Sequence, residues 1–194
     1  MDARASEIPE LEPPGAGLSA PVLFVGRRLF AMKCRRGNPE SFVEEFRQER
    51  RKIRTLVDSC PPDRRGERVL IPRLNGLEDS SRYYSVWMTL DHLRITNHGF
   101  EELIRDLSDG RKPGRVVSTA AVKPDPSVTA DVDPEYEESC EAYLKFVETG
   151  PEVHTSLTHE HPWFGPLNAY RWLALAALHM GIHRKQIKAI VSRL

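Results

Sequence analysis

The sequence predicts an all-α fold, a four-helix bundle with one long crossover connection. Four stretches carry apolar residues at the intervals of three and four that are typical of amphipathic helices. The second and third stretches are separated by about residues 111–133, and a connection of that length in a compact domain indicates a crossover or a functional loop. Long amphipathic helices with little strand pattern favour a bundle.

The first of the four helices is predicted to start after Asn38, which can cap it, with Pro39 in the first helical position. It should end before Cys60. Upstream, residues 20–32 are apolar enough to pack, either as a short helix on the body or as part of a dimer contact. The sequence leaves these two alternatives open.

The second helix is predicted to run from about Arg82 to Leu107 after a cap within residues 79–81. The third opens at Asp133 with the same cap-plus-proline chemistry as the first. The fourth starts near Leu167. Between them, residues 69–72 could be extended, and residues 116–119 could pair as a short strand.

Composition restricts the class of protein. A chain of 194 residues with 40% apolar residues fits a single domain, assigned to residues 19–194 after a disordered arm, residues 1–18. No stretch is long and apolar enough to span a bilayer, and a net charge of zero gives no global attraction to nucleic acid. Neither a membrane nor a nucleic acid is therefore expected as a partner. Three scattered cysteines favour reduced thiols in the cytoplasm.

The last helix carries His179 and His183, which lie four apart and so share one helical face. Two imidazoles at that spacing can hold one transition metal ion. Met180 follows the first histidine where a zinc protease needs a glutamate, which excludes that class. Paired Glu-x-x-His motifs of di-iron bundles are also missing. His92, on the second helix, is the candidate third ligand; the alternative is that all three histidines serve packing.

The other histidines, Gln186 and Cys140 are expected to have structural roles. His98 lies six residues after His92 and points to another side of the helix, so it is expected at the surface or behind the ligands. His159 and His161 precede the last helix, in a segment that resembles a packed helix entry. Gln186 is one turn below His183 and can orient it, and Cys140 is expected to be a small apolar core residue.

Three features together resemble the DinB-like superfamily of damage-inducible metalloproteins, also called YfiT-like metal-dependent hydrolases. They are Trp87 with His92-Leu93, residues 161–167 (HPWFGPL), and His179-x-x-x-His183 followed by Gln186-Ile187. The resemblance covers about residues 38–194. It implies a DinB-like four-helix bundle in which His92, His179 and His183 bind one divalent metal ion.

Such a site leaves a coordination position for water or substrate, which is typical of catalytic rather than structural metal. Hydrolysis by an activated water is one chemistry; the resemblance equally implies transfer involving a low-molecular-weight thiol, with a small molecule as substrate. Zn or Ni is favoured as the ion, with Fe, Cu or Mn as alternatives. A non-enzymatic metal-binding module for stress response or dimerisation is the competing interpretation, and a homodimer is compatible with either. The sequence identifies no general base.

Overall fold

The computed structural model describes residues 9–114 and 116–194, and this part of the chain is mostly helical. Two short antiparallel ribbons join the helices, β1 with β2 and β3 with β4. The helices are α1 (Ala20–Arg36), α2 (Pro39–Ser59), α3 (Val86–Ser108), α4 (Val132–Glu148) and α5 (Ala169–Val191), and the strands are β1 (Val69–Leu70), β2 (Tyr83–Tyr84), β3 (His159–His161) and β4 (Gly165–Leu167).

Helices α2 to α5 form a four-helix bundle in which α5 is central. It packs against α2 and α3, and α3 packs against α4. The reason is the composition of α5, whose buried side includes Trp172 and Ile187 and a series of alanines that allow close helix approach. The prediction of a mostly helical bundle is confirmed.

The helix starts follow local capping chemistry, with one clear difference from prediction. Asn38 caps α2 as predicted: its Oδ1 accepts from the Ser41 N–H at 2.8 Å. Helix α3 begins at Val86 rather than near Arg82, and Ser85 Oγ caps it by accepting from the Met88 N–H. The predicted start was wrong because residues 83–84 pair with β1 and so remain extended.

The third predicted cap is also different. Helix α4 starts at Val132, and the carboxylate of Asp133 binds the Arg54 guanidinium of α2 instead of capping the helix. Asn168 caps α5 through the Arg171 N–H. Residues 116–118 are in no strand, although Val69 and Leu70 are extended as expected.

Helix α1 lies outside the bundle and contacts α5. Phe30, only 2% exposed, packs on Phe164 with ring centroids 4.6 Å apart. Before α1, residues 9–18 contain no helix or strand, and the Glu12 N–H donates to Asp79. The rest of the predicted arm, residues 1–8, lies outside the described residues. No helix in residues 9–114 and 116–194 is long and apolar enough to cross a membrane.

Phe46 tests the packing between α2 and α4. Its ring is fully buried and stacks on Tyr143 with centroids 4.4 Å apart. Phe46→Ala should lower the free energy of unfolding by about 3–5 kcal/mol through lost burial and a residual cavity, measured by urea unfolding followed by circular dichroism. The matched Phe24→Ala, at a side chain that is 61% exposed, should change it by less than about 0.5 kcal/mol. Equal effects of the two substitutions would contradict the assigned core.

Candidate metal centre

The structure brings the three predicted histidines together at the interface of α3 and α5. His179 Nε2 lies 3.2 Å from His92 Nε2 and 3.1 Å from His183 Nε2. His179 and His183 meet because they are one turn apart on α5, and His92 meets both because α3 packs against that face. Three imidazole nitrogens this close could bind one metal ion.

The Nδ1 atom of His92 is held by the chain between α3 and α4. It lies 2.7 Å from the carbonyl oxygen of Val122. A carbonyl oxygen can only accept a hydrogen bond, so Nδ1 must carry the proton. The Nε2 atom of the neutral His92 ring is therefore left with a free lone pair, directed at His179.

His183 is fixed in the same sense by a side chain. Its Nδ1 lies 2.6 Å from Gln186 Oε1, and Gln186 Nε2 donates to the Ser81 carbonyl at 2.7 Å. Because the Ser81 carbonyl needs a donor, it determines which way the Gln186 amide points. The amide oxygen then faces His183 and accepts its Nδ1 proton. The Nε2 of His183 also presents a lone pair to His179.

His179 therefore faces two nitrogen lone pairs at contact distance. One proton on its own Nε2 can satisfy only one of these two contacts well, whereas a cation between the rings satisfies all three nitrogens. Its Nδ1 is buried and has no hydrogen-bond partner among the described residues. The donor set of three neutral nitrogens, two of them held by acceptors behind the ring, fits a divalent transition metal ion.

Burial keeps these rings neutral. It lowers the pKa of His92 to about 4, against an effect of the Val122 carbonyl that favours the charged form. Burial also places the pKa values of His179 and His183 well below the usual range, and the neighbouring imidazoles lower them further. Neutral imidazole is the form that binds metal, so the folded site is preset for ligation.

Lys123 joins the two segments that orient the histidines. Its Nζ donates to Glu78 Oε2 at 2.9 Å and to Ser81 Oγ at 2.9 Å. Lys123 follows Val122, which holds His92, while Ser81 orients Gln186 and, through it, His183. This ion pair, in which Glu78 is buried and Lys123 is half-buried, ties the long α3–α4 connection to the turn before α3.

The other histidines lie apart from this cluster. His98 is exposed on α3, as predicted. His159 and His161 belong to β3, so the predicted loop is partly a short ribbon. His161 Nδ1 accepts from the Trp163 N–H, and burial lowers the pKa of His161 to about 4. Cys140 is buried beside Asn97, and burial raises the pKa of its thiol to about 12, consistent with a core residue.

Sequence reasoning missed the groups that hold the ligands from behind. Two of them are backbone carbonyls, of Val122 and Ser81, and any residue type supplies a carbonyl. Their positions depend on the path of the chain between helices, which no periodicity encodes. The Glu78–Lys123 pair is separated by 45 residues, and nothing local to either residue indicates it.

No protein-family model and no curated protein matches the sequence. Among solved structures, the chain is similar to TT2238, described as a four-helix bundle protein. The two share 18% sequence identity with a TM-score of 0.56, and the match covers 78% of this chain and 99% of TT2238. At this identity the likeness shows the fold alone, and it agrees with the bundle formed by α2 to α5.

Replacing Gln186 tests whether the support behind His183 matters for metal. Gln186→Leu removes the acceptor for the His183 Nδ1 proton and should weaken zinc affinity by about 10- to 100-fold, measured by competition with a chromogenic chelator. Gln48→Leu is the matched control, because Gln48 is exposed on α2 and should leave affinity unchanged. Circular dichroism must show both variants folded. Wild-type affinity in folded Gln186→Leu would contradict the orienting role.

His161 gives a test of acid sensitivity in metal-free protein. With a folded pKa of about 4 and an unfolded pKa near 6.5, the unfolded chain takes up a proton that the folded chain refuses. The contribution of His161 to the free energy of unfolding is therefore fully present above about pH 6.5 and is lost as the pH falls toward 4. His161→Gln should reduce this slope by at most about 1.4 kcal/mol per pH unit in urea unfolding. An unchanged slope in His161→Gln would contradict the lowered pKa of His161.

Proposed function

We propose that the protein is a DinB-like metal-dependent enzyme that holds one divalent transition metal ion on His92, His179 and His183. The observation that carries this proposal is the pair of Nε2–Nε2 contacts at 3.1 and 3.2 Å, with the Nδ1 protons of His92 and His183 committed to other acceptors. Nitrogen donors suit several transition metal ions and affinity order alone does not select one; we favour Zn or Ni, with Fe, Cu and Mn as alternatives.

A catalytic role is favoured over a structural one by the composition of the cluster. Structural zinc is usually closed by four protein ligands, whereas catalytic zinc has three and an exchangeable position. Among the described residues, the cluster contains only the three histidines and no Asp, Glu or Cys. A divalent ion with three neutral ligands acts as a strong Lewis acid toward a bound water or thiol.

The least buried ligand indicates the side from which a substrate approaches. His92 and His183 are 8% and 4% exposed, while His179 is partly exposed. Next to His179, the ring of Phe100 lies edge-on with centroids 5.5 Å apart. Trp172 in turn lies 6.1 Å from Phe100. Phe100 and Trp172 are themselves only 8% and 1% exposed, so these rings form an apolar wall beside His179.

Transfer of a low-molecular-weight thiol is the chemistry that this site supports best, and hydrolysis is the second candidate. The cluster offers no carboxylate as a general base. A thiol does not need a general base, because a divalent cation lowers the pKa of a bound thiol enough for it to lose its proton. Hydrolysis also requires a proton for the leaving group. His161 carries no extra proton near neutral pH, because burial lowers its pKa to about 4, so water would have to supply that proton.

Metal content of protein purified without a histidine tag tests the site. Wild type should bind about one ion per chain, and His179→Ala/His183→Ala should bind essentially none, because one imidazole cannot retain the ion. Elemental analysis after equilibrium dialysis against zinc measures both. The matched control is His98→Ala, an exposed histidine on the same helix as His92. Equal metal in wild type and in the double variant would refute the site.

Cobalt substitution then separates the two chemistries within the same experiment. Addition of a small thiol, such as cysteine, to cobalt-loaded wild type should produce a sulfur-to-cobalt absorption band in the near ultraviolet. The band should be missing in His179→Ala/His183→Ala. If one cobalt ion binds per chain but no thiol band forms, the metal site would be supported, thiol transfer would be contradicted, and hydrolysis would become the favoured chemistry.

A further inference from the structure

Helix α1 places an unusual amount of apolar surface in contact with solvent. The described residues include seven exposed large apolar side chains, and five of these lie on α1. Phe24, Leu29 and Val25 are 61%, 56% and 53% exposed. The complete set is Val22, Phe24, Val25, Leu29 and Met32.

Four of these side chains follow one stripe of the helix, and Phe24 lies to one side of it, next to Arg28. Val22, Val25, Leu29 and Met32 are spaced by three, four and three residues, so they follow one side of the helix. Contiguous exposed apolar patches on soluble proteins usually mark an interaction site. We refer to these four residues and Phe24 as the α1 apolar face.

The body of the protein holds this face outward. On the opposite side of α1, Phe30 is buried against Phe164, and the Tyr170 hydroxyl lies 2.8 Å from the carbonyls of Cys34 and Gly37. The Arg27 guanidinium donates to the Trp163 carbonyl. These contacts prevent the helix from rolling its apolar face onto the bundle.

The charge of α1 has a single sign. The helix contains five basic residues and no acidic residue. Arg28, Arg35 and Arg36 are exposed, and the Arg28 guanidinium lies 5.2 Å from the centroid of the Phe24 ring. A cleft of about 170 Å³ is lined by Met32, Arg35 and Arg36, so apolar and cationic groups share one surface.

We propose that α1 binds the surface of an anionic lipid bilayer, with the α1 apolar face in the acyl–headgroup boundary and its arginines on lipid phosphates. A helix that exposes apolar side chains flanked by cations is typical of interfacial membrane binding. Arginine side chains can extend toward headgroups while their methylenes stay with the apolar residues. The exposed Arg28, Arg35 and Arg36 supply the positive charge that complements anionic headgroups.

A second copy of the chain fits less well. Pairing two α1 helices would bring together the exposed Arg28, Arg35 and Arg36 of both copies without an acidic residue on either helix. The exposed parts of five side chains also fall short of the roughly 800 Å² per partner that stable interfaces bury.

This proposal is independent of the metal site, and it departs from the sequence-based expectation that no membrane is involved. That expectation rested on the lack of a spanning segment. Interfacial binding needs only one exposed amphipathic face, and the sequence alone left the partner of residues 20–32 open.

Vesicle co-sedimentation of the full chain tests the proposal. Vesicles with equal parts of phosphatidylserine and phosphatidylcholine should retain the protein, and vesicles of phosphatidylcholine alone should retain far less. Phe24→Ser/Leu29→Ser should weaken binding roughly tenfold or more, because two apolar anchors are lost. Each of Arg28→Gln, Arg35→Gln and Arg36→Gln should weaken it about fivefold, and added salt should do the same.

Matched controls lie on other parts of the surface. Leu70→Ser removes an apolar side chain that is 43% exposed, and Arg193→Gln removes an exposed cation at the end of α5. Both should bind vesicles as wild type does, and circular dichroism should show all variants folded. The proposal is overturned if phosphatidylserine gives no retention, if the α1 variants bind like the controls, or if sedimentation velocity shows a dimer that Phe24→Ser/Leu29→Ser dissociates.

Discussion

The hydrogen bonds made by the Nδ1 atoms of His92 and His183 are the constraint on which the site depends. Each commits one imidazole proton to an oxygen, Val122 O in one case and Gln186 Oε1 in the other. The opposite nitrogens then have no proton to offer, and both face His179 in a buried setting. The two contacts between the three Nε2 atoms would each need a proton to form a hydrogen bond, and only His179 can supply one. At least one of the two contacts therefore lacks a good hydrogen bond. A cation between the rings would satisfy all three nitrogens, and the acceptors behind the rings therefore support the proposal of a metal ion at this cluster.

The helices of the bundle and the connections between them position different parts of the site. Helices α3 and α5 bring the rings together, and their packing fixes the separation. The connections set the tautomers, since the Ser81 carbonyl comes from a short 3-10 turn before α3 and the Val122 carbonyl comes from the α3–α4 connection. Lys123, paired with Glu78, joins those two pieces at one end of the bundle. The long α3–α4 connection is therefore part of the site as well as a link between helices.

Helix α1 differs from the bundle helices in how much of its apolar surface is buried. Its inward side is fixed by Phe30 and by backbone carbonyls that bind Tyr170, so little of its apolar content is buried. The bundle core is complete without the remaining apolar side chains. Exposed arginines lie beside them, and the proposed partner, an anionic bilayer surface, would complement both the apolar side chains and these cations. The metal centre and the α1 apolar face then belong to separate parts of one molecule.

The sequence by itself determined the mostly helical fold, the Asn38 cap, and the shared face of His179 and His183, because helical periodicity and spacing are local properties. His92 was joined to that pair through the resemblance to a known family. It misplaced the start of α3 by four residues, since the pairing of β1 with β2 overrides the local cap pattern. Only the tertiary structure decided the orientation of Gln186, the link from Lys123 to Glu78, and the side of α1 that faces outward. These depend on contacts between residues far apart in the chain, and the physical reason is that burial and hydrogen-bond partners are set by packing rather than by neighbours in sequence.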